Sequence, residues 1–360
     1  MDFGLSEIQL SLQESITRFL DEKVPLDRVR EFADSDHAFA EDVWQGLCEL
    51  GVPGVLIEEK YGGIGLGSLE AVVISECIGN HVAPVPFFSS SVMAATAIQL
   101  CGSDSQKEKY LPRLATGELT VGLGISELSG RRNGGGITSS GESLTGSALY
   151  VLEPTAELIL VADQKARLFL VERGAMGLSS RAMPQIDRTR PIATIDLDDT
   201  PAESLIGSTP SSIQALIDLG RVTLSADTLG ASQSMLDQAI AYSLQREQFN
   251  RVIGSFQAVK HMCAEMAAEI EPSRSLVWYA GHALDEVPEE SHLTACHTKA
   301  HLSEVGTFIG KTSTVVHGGM GFTDLLGLHY WFKRIGFNRQ YLGGPEYVRE
   351  EAARIQGLVA

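Results

Sequence analysis

The feature that most restricts this chain is a double change in its hydrophobic period. Up to about residue 118 apolar side chains recur at helical spacing. From about 119 to 210 they fall into short β-rich runs, and from 211 onward the helical spacing returns and persists. A helix buries a stripe and a strand buries a face, so a period that moves from about 3.6 to about 2 and back implies separate packing units. The predicted fold is α+β, with an N-terminal α-helical domain (1–118), a small β-domain (119–210) and a C-terminal four-helix-bundle domain (211–360).

Local signals fill in these units. Ile8, Leu12, Ile16, Phe19 and Leu20 keep a helical period behind a capping box of Ser6 and Gln9. "SQKEKYLPRLATGELT" reads as a helix ended by Pro112 and a turn at Gly117. "TVGLGISE", "SLTGSALYVL", "ELILVADQKARLFLVE" and "PIATIDLDD" read as strands. In the last unit Leu229, Leu236, Ile240 and Leu244 form one stripe, and Val259, Met262, Cys263, Met266 and Ile270 form the next. Pro272 is expected to end or kink that second helix. "DEVPEES" (285–291) reads as a loop before a long helix reaching about Val316.

Composition narrows the function. The net charge is −18 with no basic block, which excludes the phosphate-neutralising stripe of a nucleic-acid binder and disfavours anionic membranes. No apolar run reaches the roughly 18–20 residues of a membrane span. Asp2, Glu7 and the lack of a basic segment beside them argue against a signal peptide. Five cysteines, odd in number and without a C-x-x-C pair, read as free thiols in a reducing compartment. A cytoplasmic protein is expected, with neither nucleic acid nor membrane as partner.

Several motifs read most simply as structure. "YGGIGLGS" has dinucleotide-loop spacing, but Glu58, Glu59 and Lys60 separate it from any strand. "GTFIGKTS" is one residue short of a phosphate loop and lies within a helical run. His297 and His301 stand one turn apart without a third ligand, so no metal site is predicted. "SGRRNGGGITSSG" reads as a mobile surface loop in which Arg131 and Arg132 could touch a ligand phosphate. Two corners carry more. Arg246, Gln248 and Phe249 sit at a bend, with Phe256 and Gln257 opening the next helix, and Gly318, Gly319 and Gly321 make a tight turn after a long helix. An arginine beside an amide suits a pyrophosphate, and a Gly-Gly turn admits a ligand close to the backbone.

"GVPGVLIEEKYGGIGLG", "QKEKYLPRLATGEL", "REQFNRVIGSFQAVKHMCAEMA" and "HGGMGFT" follow in the order seen in the acyl-CoA dehydrogenase family, which the chain resembles over nearly its whole length. The resemblance implies FAD held at a dimer interface. One subunit holds the isoalloxazine ring, and its neighbour's arginine corner and Gly-Gly turn hold the pyrophosphate and adenosine end. On this chain those tail positions are Arg246, Gln248, Phe249, Phe256, Gln257, Gly318 and Gly319.

The departures from that family are informative. Its base is a glutamate in a late Y-E-G turn, here "YLG" with Leu342, or in an L-E-R context, here "DLGRV" with Gly220. The ring-seat loop corresponds to "SELSGRRN", which keeps Ser126 and Glu127 and loses a proline and an acid. Leu152 stands where a hydroxyl would face the flavin, and Val315 replaces a tail-site glutamine. The resemblance therefore implies the base-lacking subunit of a heteromeric (α2β2), FAD-dependent acyl-CoA dehydrogenase. Such an enzyme would introduce an α,β double bond into a bulky, steroid side-chain CoA thioester. Its partner would be a homologous subunit bearing the glutamate, and this chain alone would be inactive. Two alternatives stand beside it. One is a homo-oligomeric enzyme with altered elimination chemistry or a relocated base, for which Asp218, Asp227 and Glu346 are nearby acids. The other is a flavin-free structural subunit.

Overall fold

The computed structural model describes residues 4–130 and 134–359. Six helices build the N-terminal unit: α1 (Glu7–Lys23), α2 (Leu26–Ala33), α3 (Glu41–Glu49), α4 (Ser68–Asn80), α5 (Ala95–Cys101) and α6 (Asp104–Ala115). The expected capping box opens α1: Ser6 Oγ accepts from the Gln9 amide while the Gln9 side chain accepts from the Ser6 amide. Between α4 and α5 lies a fully buried π-helical stretch, Phe87–Ala94. Pro112 does not end α6. The helix runs on to Ala115, and the turn at Gly117 follows with φ of 74°.

The middle unit is one eight-stranded sheet: β1 (Val121–Gly124), β2 (Gly136–Ser140), β3 (Ser143–Leu152), β4 (Leu158–Ala162), β5 (Leu168–Glu172), β6 (Leu178–Ala182), β7 (Ile192–Pro201) and β8 (Glu203–Ser204). Its order is β6-β7-β3-β1-β4-β5-β8 with β2 on β3, and only β1 and β4 pair in parallel. The period of two sorts β4 between two cores. Leu158 and Leu160 face the helices, whereas Ile159 and Val161 join Ile137, Phe169 and Ile195 on the other face. Part of the predicted surface loop is therefore strand: β2 takes residues 136–140, because Gly136–Ser140 pair in register with Ser143–Ser147. Arg131 and Arg132 lie outside the described residues.

The bundle is α7 (Pro210–Gln245), α8 (Gln257–Glu286), α9 (Pro288–His317), α10 (His329–Gln340) and α11 (Pro345–Ile355). Helix α7 is buried on every side from Leu216 to Ser232, so it is the axis of the unit rather than one face of it. Its predicted stripe ends early, with Ile240 and Leu244 exposed at the C-terminal turns. Pro272 does not end α8, which continues fourteen residues beyond it to Glu286. The adjoining turn is reinforced by the Ser273 hydroxyl, which donates to the Glu269 carbonyl (2.6 Å). The predicted 285–291 loop shrinks to Val287, since Pro288 at the first turn of α9 has the φ a helix start requires.

Buried charges join the sheet unit to the bundle. Arg190, before β7, donates to Asp227 of α7 (2.7 Å) and Asn338 of α10 (2.6 Å). Arg334 of α10 donates to Asp187 (3.0 Å), Asp227 (3.1 Å) and Thr189 (2.6 Å). The Lys299 ammonium donates to the Asn338 carbonyl, and burial drops its pKa to about 7. Breaking one partner in such a network costs about 3–5 kcal/mol, because the other charge stays buried.

Candidate functional site

The two positions where the family would carry its base are brought together. Leu342 lies between α10 and α11 with φ of 58°, fully buried, in the left-handed region that a branched side chain rarely occupies. A Cβ added at Gly220 of α7 would stand 2.5 Å from Leu342 Cδ1 and 2.8 Å from Met93 Sδ. Leucine, methionine and glycine thus interlock, and the space a carboxylate would need is filled by aliphatic side chains.

Arg221, directly after Gly220, holds that turn. Its Nε donates to the Leu342 carbonyl (3.1 Å), and its two terminal nitrogens grip Glu351 of α11 (3.0 and 2.8 Å). Asp218 accepts from His292 Nδ1 (3.0 Å), whose other nitrogen lies 3.3 Å from Glu351. Burial pushes the Asp218 carboxyl up, and the Asp218 hydrogen bond pushes His292 up, so the pair retains a proton more readily than either group in water. His292, Cys296 and Glu351 converge within 4.8 Å, but Arg221 already supplies the cation there and lies 3.3 Å from Cys296 Sγ. The histidines singled out from sequence behave differently: His297 is exposed and His301 lies 3.1 Å from the Ser273 hydroxyl. Sequence reasoning passed over Arg221 and the His292–Cys296 spacing of one helical turn, which was the available signal.

The three acids considered as substitute bases all have partners. Asp218 serves His292 and Gln214, and Asp227 serves Arg190, Arg334 and Asn338. Glu346 lies exposed in the first turn of α11 and pairs with Arg339 (3.3 Å). A further buried acid follows β3: burial pushes Glu153 up to about 7, against the pull of Ser89 and the Arg190 and Arg334 charges.

The ring-seat positions are closed by the chain itself. Ser126 donates to the Leu149 carbonyl (2.8 Å), and Glu127 accepts from the Leu149 amide (3.1 Å). Leu152 is 1% exposed at the end of β3, between Leu123 and Ile192. The Tyr341 hydroxyl reaches across to the Leu123 carbonyl (3.2 Å), tying the 341–343 turn to β1.

The tail positions are open. The Tyr242 ring packs at a tilt of 34° against His317 (4.7 Å), which brings the C-terminal ends of α7 and α9 together and places Arg246 and Gly318 at one end of the bundle. Arg246 is exposed and pairs with no acid among the described residues. Gln248, Phe249, Asn250 and Arg251 form a two-residue hairpin between short strands β9 (Glu247–Gln248) and β10 (Arg251–Val252). Phe249 and Asn250 both have positive φ (54° and 59°), as a type I′ turn demands, and Phe249 is 87% exposed. Phe256 caps α8 under the Arg251 guanidinium (3.9 Å), and Gln257 is exposed in its first turn. Gly318 requires its φ of 60°. A Cβ at Gly318 or Gly319 would meet nothing within 4 Å among the described residues, so the backbone is approachable there.

A helical unit, a mixed β-sheet and a helical bundle whose far end presents an arginine hairpin beside a Gly-Gly turn define a known class of three-domain acyl-thioester oxidoreductase. Residues 6–118 match the family model "Acyl-CoA dehydrogenase, N-terminal domain" and residues 211–356 match "Acyl-CoA dehydrogenase, C-terminal domain". The chain belongs to the acyl-CoA dehydrogenase family. It is 28% identical over 355 residues to mitochondrial isovaleryl-CoA dehydrogenase of Pongo abelii, covering 89% of this chain and 82% of the relative. The solved steroid ACAD Tcur3481–Tcur3483 is 28% identical with a TM-score of 0.89, covering 98% of both chains. The ChsE4–ChsE5 complex from Mycobacterium tuberculosis shares the fold at 24% identity, with a TM-score of 0.91 and full coverage of both chains. Members of the family are FAD-dependent. Here the exposed Arg246 and open Gly318–Gly319 turn fit the phosphate end of that cofactor, whereas Leu152, packed between Leu123 and Ile192, offers no hydroxyl to its ring.

Among the described residues, no helix is long and apolar enough to cross a membrane, and all five cysteines are free.

Proposed function

We propose that this chain is the glutamate-lacking subunit of a heteromeric, FAD-dependent acyl-CoA dehydrogenase acting on bulky, steroid side-chain CoA thioesters. The observation that carries this reading is the interlocking of Leu342, Gly220 and Met93, which fills both base positions at once. The acids beside that seat are committed to Arg221, His292, Arg190 and Arg334, which argues against a relocated base among them. The names of two structural neighbours, Tcur3481–Tcur3483 and ChsE4–ChsE5, each pair two chains, and the first is called a steroid ACAD.

In this reading Arg246 binds the pyrophosphate of FAD whose ring lies in the partner. Gly318 and Gly319 let the cofactor approach the backbone, and Gln248, Phe249, Phe256 and Gln257 line its adenosine end. FAD, when bound, supplies the hydride acceptor. The carboxylate that takes the α-proton comes from the partner, and this chain contributes binding and orientation.

The test is flavin per chain by visible absorbance, on the protein expressed alone and with a glutamate-bearing homologous subunit. The expected result is a colourless protein alone and about one FAD per pair of chains in an active complex, by the mass action that couples cofactor to partner. One FAD per chain in the isolated protein would sink the proposal and favour the homomeric reading.

A further inference from the structure

Helix α11 has a slender grip on the bundle. Of its eleven residues Pro345, Val348 and Ala352 are buried, the last two in a small cluster with Cys296 and Ala300 of α9 that stands apart from the main core. Its ion pairs Arg349–Glu304 and Arg339–Glu346 lie at the surface, where water and salt screen them and they contribute little. Glu351 makes the deeper attachment, to Arg221 of α7 and to His292 of α9.

His292 stands between two carboxylates. Its Nδ1 lies 3.0 Å from Asp218 Oδ1 and its Nε2 lies 3.3 Å from Glu351 Oε1. Only the imidazolium has a hydrogen on both nitrogens and can donate to both acids. A neutral ring keeps one hydrogen, which the closer and more deeply buried Asp218 holds on Nδ1. Its Nε2 lone pair then faces the Glu351 oxygen, and the same contact repels. Charge counting agrees. With the ring protonated, Asp218 and Glu351 are matched by Arg221 and His292. With it neutral, Arg221 must serve both acids, at 3.8 Å from Asp218 and 2.8 Å from Glu351. The remaining groups around the ring leave this balance alone. Gln214 of α7 is neutral, burial pushes the Cys296 thiol up to about 12, and burial also pushes Tyr347 of α11 up. Arg354 of α11 pairs with Glu350, Glu290 at the start of α9 accepts from Tyr279 of α8, and Glu289 beside it is exposed. The hydrogen bond to Asp218 raises the His292 pKa above its ordinary 6.5. The grip is therefore complete below 6.5 and is lost as the pH rises through that raised value.

We propose that His292 is a pH-sensitive latch on α11: protonated, it clasps Glu351 and closes the helix against α7 and α9, and neutral, it lets the helix loosen. The release reaches the 341–343 turn, because the Arg221 guanidinium that binds Glu351 also donates to the Leu342 carbonyl. The latch stands on the placement of one imidazole between two acids, and does not depend on where FAD or a partner's glutamate lies.

The experiment is hydrogen–deuterium exchange by mass spectrometry on the full chain at about pH 5.5 and about pH 8.5, with rates corrected for the intrinsic pH dependence of exchange. From the lower to the higher pH the α11 amides should lose protection at least about fivefold, while those in the middle of α7 keep theirs. In His292→Gln, α11 should be less protected than in the parent at the lower pH and should change less than about twofold between the two. Lys299 and Glu153 also titrate near 7, but both remain in this variant, so a response they caused would persist in it. If His292→Gln does not fold, Glu351→Gln carries the comparison. Its amide can donate to the neutral Nε2, and α11 should again be indifferent to pH. The proposal is overturned if α11 of the parent is equally protected at both pH values, or if a folded variant keeps the parent's response.

Discussion

The two regions proposed above as the ring-and-base end and the tail end of this chain are built in opposite ways. At the first, Leu342, Gly220, Met93 and Leu152 are packed against one another and the polar groups nearby are spent on their own chain. At the second, Arg246, Phe249, Gly318 and Gly319 lie in the open, and the Phe249 hairpin adopts left-handed backbone to stay there. A buried site that loses its ligand tends to be refilled, because interiors are close-packed and a void forfeits contacts. An exposed one faces no such pressure, so a phenylalanine kept 87% exposed on left-handed backbone argues for something that covers it.

The sharpest way to break this contrast is to restore a base. Gly220→Glu would drive a side chain into Leu342 and Met93 and bury a carboxylate among apolar groups. Overpacking and desolvation together should cost at least about 4 kcal/mol, read as loss of soluble protein or of the urea transition. A folded Gly220→Glu protein of parent stability would show that the seat is still open. Arg221→Met probes the polar layer behind it. With Asp218 and Glu351 left without their guanidinium, unfolding in urea should show a loss of about 3–5 kcal/mol.

Glu153→Gln should act with the opposite sign and only at higher pH. Burial raises the pKa of the Glu153 carboxyl from the ordinary 4.5 to about 7, so the folded state holds that proton more tightly than the unfolded chain. Its contribution is full below pH 4.5 and is lost as the pH rises to about 7. The variant should match the parent at pH 4.5 and exceed it at pH 8 by about 2–3 kcal/mol, measured as urea midpoints at both values. The smallest stability effect belongs to the open end. Arg246→Ala should change the unfolding free energy by less than about 0.5 kcal/mol, yet strip FAD from the complex with the glutamate-bearing partner. Retained flavin with unchanged affinity would show that Arg246 is not the pyrophosphate ligand.

Much of this could be read from the chain directly. The α–β–α order and the capping box on α1 follow from period and spacing, whereas the missing glutamates at 220 and 342 and the arginine corner were legible through the family resemblance. Pro112 misled the reading, because α6 runs on past it to Ala115, and of the two outcomes expected of Pro272 the helix end does not occur. Arg221, Glu153, Arg190 and Arg334 gave no local signal. Each is an ordinary charged residue until a partner from 37 to 252 positions away is buried against it.

Residue identity and periodicity therefore determined which units form and which chemical groups the chain possesses or lacks. Only the tertiary structure decided that the missing base leaves no gap and that the acids near the seat already have partners. These are properties of distances between residues remote in sequence. They are set when the units dock and exclude water, and no one-dimensional pattern encodes them.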